Sequence, residues 1–127
     1  MNEEYFDTVF LFSGIIEKAP HSFAILTACN PMDHLLSLDE NKMRNLRLFR
    51  TLCNLGKSIT PIIGSSPDHS HQEPSFVVYC SQGEAKKIGK EFQQKAFFWV
   101  CNDQLNIIDC TTGMIYPAGL FSERIRK

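Results

Sequence analysis

The chain has 127 residues, a net charge of −1 and 43% hydrophobic residues, ten of them Phe. That length fits one domain, 1–127, with a single core that needs no staples. The balanced charge argues against sequence-independent binding to nucleic acid, which needs a basic surface.

The five cysteines (Cys29, Cys53, Cys80, Cys101 and Cys110) are odd in number and contain no C-x-x-C pair. Most sit in apolar runs, as small core residues of a reducing compartment do. The first seven residues are acidic and lack the basic start of a signal peptide. No apolar run approaches the ~20 residues of a membrane helix. A soluble, cytoplasmic protein is expected.

In chain order, 5–12 is apolar and aromatic without a clear period and suits a strand or a short helix, and 14–20 reads as a loop. The segment 22–29 is a strand with apolar residues on both faces, hence internal to a sheet. Pro31 ends it, having no amide to give a ladder. Ser37-Leu38-Asp39-Glu40 matches the capping box S-x-x-E and predicts a helix over 38–55. Its apolar stripe is read as Leu46, Phe49, Leu52 and Cys53, and Arg44, Arg47 and Arg50 as a solvated face. Gly56 stops it. A second strand follows at 58–63, a polar loop at 64–74 and a third strand at 75–80. Ser81-Gln82-Gly83-Glu84 repeats the capping pattern and predicts a helix over 82–94. The fourth strand is 96–101, Asn102-Asp103 is a two-residue hairpin turn, and the fifth strand is 104–110. The tail 122–127 is polar and reads as frayed.

Strand–helix–strand–strand–helix–strand is the order of a ferredoxin-like split βαβ unit. The expected fold is therefore α+β: a ferredoxin-like βαββαβ core with an extra C-terminal strand and an N-terminal element. Two main helices would pack on a mostly antiparallel sheet of order 4-1-3-2. That topology carries the end of strand one, the start of helix one, the 64–74 loop and the end of helix two to one sheet edge. Thr27, Asn30, Asn41, Asn45, Glu73, Ser75 and Gln94 are the candidate ligand-binding residues there, with Asp68 nearby.

Chemistry at this edge has several readings. His69, His71 and Glu73 would point to one side of an extended segment and are weak metal-ligand candidates; the plain reading is a solvated loop, and no cofactor or metal is expected. Pro74 pushes Glu73 toward extended backbone. A carboxylate partly desolvated there would have a raised pKa, suiting a general base with His71 as proton shuttle, or it would simply tie down the loop. Thr27, Asn30 and Gln94 could contact a ligand or satisfy backbone. Gly64-Ser65-Ser66 lacks the spacing of a phosphate-binding loop.

Thr27-Ala28-Cys29-Asn30-Pro31, Asn41 and Asn45, Gly64, Glu73-Pro74-Ser75-Phe76 and Phe92-x-Gln94-x-Ala96 together resemble a family of small bacterial proteins defined as a domain of unknown function, with T-A-x-N-P and E-P-S-F motifs. The resemblance covers about residues 5–108. It implies a bacterial, cytosolic, single-domain protein and no particular activity. His71 stands where that family often has an aromatic residue.

Three functions follow as expectations. The first is a binding or regulatory domain for a small polar ligand, nucleotide-like or a carboxylate. The second is a hydrolase using Glu73 and His71. The third is an interaction module or homodimer that pairs through a sheet edge, strand five being the candidate. No membrane partner is expected.

Overall fold

Both capping boxes form: Ser37 accepts from the Glu40 amide and Ser81 from the Glu84 amide, and each glutamate reaches back to its cap. They start the two long helices of the computed structural model, which describes residues 1–12 and 22–126. The loop expected at 14–20 lies outside the described residues. A short helix α1 (Glu4–Asp7) leads into β1 (Val9–Leu11), so the N-terminal segment is helix and strand in turn. Next come β2 (Ser22–Leu26), α2 (Leu38–Asn54), β3 (Ile59–Ser65), β4 (Gln72–Val78) and α3 (Gln82–Glu91). The chain ends with β5 (Ala96–Cys101), β6 (Gln104–Asp109), β7 (Ile115–Leu120) and the two-residue β8 (Ile125–Arg126).

One sheet holds all eight strands in the order β7-β6-β5-β2-β4-β3-β1-β8. Its middle, β5-β2-β4-β3, has the order expected for the four core strands. The ferredoxin-like reading is nevertheless wrong for the whole: the sheet is mixed, curls into a half-barrel and is served by three helices. Two features of the chain cause this. β1 pairs with β3 and then, in parallel, with β8, while β6 and β7 extend the other side. The strands are also apolar on both faces, so both faces must be covered. One face packs Ala24, Leu26, Val78 and Phe97 against Leu48, Leu52, Ala85 and Ile88 of the helices. The other closes on itself through Phe10, Phe23, Val77, Val100, Ile107 and Phe121. Phe121 stacks at a tilt on Phe10 and edge-on to Phe23, each at 5.4 Å between centroids.

Several boundaries and faces differ from expectation. The 64–74 loop shrinks to 66–71, because β3 and β4 pair down to Ser65 and Gln72. β2 ends at Leu26 and α3 at Glu91. The buried stripe of α2 is Asn45, Leu48 and Leu52; Leu46 and Phe49 are 41% and 42% exposed and Cys53 is exposed. The predicted fifth strand, β6, is covered by β7 and offers no edge. The tail is anchored: Phe12 donates to the Arg126 carbonyl (3.0 Å), and Arg124 reaches the carbonyls of Thr8 and Ala118 (3.0 Å each). Asn102 and Asp103 both take positive φ, 50° and 66°, as the hairpin turn requires. Among the described residues no helix is long and apolar enough to cross a membrane.

Candidate functional site

β2 stops at Leu26 because the next residues turn away from the ladder. Asn30, Met32 and Asp33 adopt left-handed φ of 49°, 51° and 63°, a costly run for residues with a Cβ. Asparagine amides hold it. The Asn30 amide donates to Asn41 Oδ1, and Asn30 Oδ1 accepts from the Leu36 amide and from Asn41 Nδ2, all at 2.9 Å. One turn along α2, Asn45 Oδ1 accepts from the Ala28 amide (2.8 Å), and Asn45 Nδ2 donates to the Pro74 carbonyl (2.8 Å). Thr27 Oγ1 donates to that same carbonyl (2.8 Å). Gln94 Nε2 donates to the carbonyls of Cys29 (3.1 Å) and Phe92 (3.3 Å). Arg44 spans the Ala28 and Phe92 carbonyls, so it is a backbone clamp and not part of a solvated face. Asn30, Asn45 and Gln94 are all buried. Burial is tolerable here because, among the described residues, no fully buried side-chain nitrogen or oxygen lacks a hydrogen-bond partner.

The one Asn30 group left, Nδ2, donates to Glu73 Oε1 at 2.9 Å. This bond joins the β2 turn to the β3–β4 hairpin, where Glu73 stands opposite Gly64. The T-A-x-N-P turn and the E-P-S-F segment therefore meet. His71 Nε2 lies 3.7 Å from the same Oε1. No hydrogen bond from a described residue reaches Oε2.

Glu73 faces a cavity of about 550 Å³. Phe10, Ile25, Phe97 and Phe98 supply apolar wall; α1 contributes Tyr5 and the hairpin contributes Ser66, Asp68 and His71. Of the candidate residues, Thr27, Asn30, Glu73, Ser75 and Gln94 line it. Asn41 and Asn45 stand behind the wall and tie its backbone. His69 does not line it and takes a left-handed turn conformation, φ 63°. Among the described residues no three His, Cys, Asp or Glu side chains are grouped as a metal would need.

Two lining residues escaped the sequence reading. Tyr5 donates its hydroxyl to Asp33 Oδ1 at 2.8 Å, joining α1 to the β2 turn, and Lys95 Nζ lies 4.0 Å from Asp33 Oδ2. The available signal for Asp33 was its place just beyond Asn30-Pro31.

Burial pushes the Glu73 carboxyl above the usual carboxylate range, against the opposing pull of the Asn30 hydrogen bond and His71. Burial, aided by Asp33, pushes the Tyr5 phenol up, so it stays a donor. Burial also raises the Cys29 thiol, which disfavours the reactive thiolate. Asp68 goes the other way: the Ser70 amide and the Ser66 and Ser70 hydroxyls hold it at about 2. It is the staple of the 66–71 turn. The cavity thus presents one half-buried carboxyl with an oxygen that no described residue hydrogen-bonds, a second carboxylate held by a phenol, an exposed imidazole and an aromatic wall.

Fold and cavity together define a mixed helix-and-sheet protein whose curled sheet holds a polar-rimmed pocket beneath α1. Residues 26–97, more than half of the chain, match the family described as "Protein of unknown function (DUF3293)". The chain belongs to that family. The matched segment runs from the end of β2 to the start of β5 and contains Asn30, Glu73 and Gln94. No curated protein and no solved structure matches the chain.

Proposed function

We propose that the chain is a small-molecule-binding domain and that its ligand sits in the cavity against Glu73. The observation that carries this reading is a half-buried carboxyl at the wall of a cavity of about 550 Å³, one oxygen fixed by Asn30 and the other without a hydrogen bond from any described residue. Ligand pockets typically span about 300–1,000 Å³, apolar with a few convergent polar groups. This volume and wall fit that pattern.

The test is a thermal-shift screen of the purified protein against a broad metabolite library, with native mass spectrometry for a co-purifying ligand. At least one compound should raise the melting temperature of the wild type and fail to raise that of a folded Glu73→Gln variant. A library without a single stabilising compound at millimolar concentration would contradict the reading.

A hydrolase is the second reading, favoured by the raised Glu73 carboxyl and by His71 at 3.7 Å. Glu73 would take a proton from water as the water attacks, and His71 would hand a proton to the leaving group. Turnover in a screen of phosphoester, glycosidic and amide substrates, reduced ~100-fold or more by Glu73→Gln, would favour the enzyme over the binder.

A further inference from the structure

The described residues lining the cavity carry five carboxylates, Glu4, Asp7, Asp33, Asp68 and Glu73. Against them, among the described lining residues, stands one basic side chain, His71, and none of these lining residues is lysine or arginine. The chain as a whole is nearly neutral, so this sign is local to the cavity.

The carboxylates are not equivalent. Asp68 is consumed by its own turn, accepting from Ser66 and Ser70. Asp33 is engaged at both oxygens, its Oδ1 taken by Tyr5 and its Oδ2 4.0 Å from Lys95 Nζ. Glu4 and Asp7 accept no side-chain hydrogen bond from a described residue, but both are exposed on α1; Glu73 is half-buried, with Oε1 held by Asn30 and no hydrogen bond from a described residue at Oε2. Beside it lies an aromatic cluster: Phe98 contacts Tyr5 at 5.9 Å and Phe10 at 5.1 Å between centroids. A carboxylate oxygen in a cavity that Tyr5 and Phe98 also line is a combination that takes an organic ammonium, through a charge-assisted hydrogen bond and aromatic contact. To a carboxylate or a phosphate the described wall offers His71 as its one basic side chain, against several like charges. The nucleotide-like or carboxylate ligand expected from the sequence fits it poorly.

We infer that the cavity selects a small organic cation: a primary or secondary amine whose ammonium meets Glu73 Oε2 and whose apolar body lies along Tyr5 and Phe98. This rests on the cavity being a ligand site at all. It goes further by fixing the sign and shape of the ligand.

The test is isothermal calorimetry and thermal shift with probes matched in body and differing in head: phenethylamine and tryptamine, 2-phenylethanol, and 3-phenylpropanoate. The amines should bind at least tenfold more tightly than the alcohol, and the carboxylate should show no binding. Glu73→Gln should remove at least tenfold of amine affinity while leaving alcohol binding unchanged. Asp33→Asn is the second variant should Glu73→Gln misfold; it should weaken the amines by a smaller factor. Binding of the alcohol or the carboxylate equal to or tighter than that of the amines would overturn the cation inference and leave the pocket reading standing. No binding by any probe would also overturn it. The pocket reading would fall only if the metabolite library stabilised nothing as well.

Discussion

The two sides of the Asn30–Glu73 hydrogen bond use their polar atoms differently. On the α2 side, Asn30, Asn41, Asn45 and Arg44 are committed to backbone groups or to one another. On the cavity side, Glu73 keeps one oxygen free of described partners, and His71 is half exposed. Saturated polar clusters specify a conformation; unsaturated ones beside a cavity have capacity to bind. The difference separates residues that build the wall from residues that face a guest, although sequence order interleaves them.

Truncation should reveal the contrast. Asn45→Ala has the largest expected effect, a loss of about 3 kcal/mol in urea denaturation. It strands the buried Ala28 amide and weakens the tie to Pro74. Arg44→Met should cost about 2 kcal/mol by the same measurement, since it removes a charged donor from two carbonyls. A cost below about 0.5 kcal/mol for either would break the division, because surface substitutions fall in that range. Ser37→Ala, at the cap of the helix that carries both asparagines, should cost about 1 kcal/mol.

Glu73→Gln should behave in the opposite sense. The folded Glu73 carboxyl sits above its unfolded value. The native state therefore holds the proton longer, and the wild type loses stability as pH rises from the ordinary carboxylate range through the folded value. Glutamine can still accept from Asn30 and carries no charge. Melting temperatures should thus favour the variant at pH 7, with the advantage shrinking toward pH 4. A variant less stable than wild type at pH 7 would mean that the Glu73 charge is structural.

How much of this was legible depended on the range of the interactions. The two capping boxes and the Asn102-Asp103 turn are written in adjacent residues, and all three formed. The β5-β2-β4-β3 order followed from element order alone. The outer strands were hidden. β1 and β8 are three and two residues long, and the register of Phe10 with Ile125 joins opposite ends of the chain. In β7, Pro117 and Gly119 interrupt the alternation by which a strand is recognised. The hairpin arms at Ser65 and Gln72 are polar and read as loop, yet they pair.

At the site, the gathering of Thr27, Asn30, Glu73, Ser75 and Gln94 was visible because topology brings strand ends together. The division of labour was not. Asn41 and Asn45 look as suitable for a ligand as Asn30 does, but Asn41 is consumed by Asn30 and Asn45 by the Ala28 amide and the Pro74 carbonyl. Tyr5 and Asp33 depend on where α1 lands, which no local pattern gives.

The most direct test of the central claim is chemical-shift mapping of ¹⁵N-labelled protein titrated with the amine that most raises its melting temperature. Perturbed amides should cluster at Gly64, Ser65, Glu73 and Phe98 around the cavity and leave Leu46, Phe49 and Thr60 unmoved. Shifts confined to that second group, or no saturable shift with any amine, would contradict the claim that Glu73 and its cavity receive the ligand.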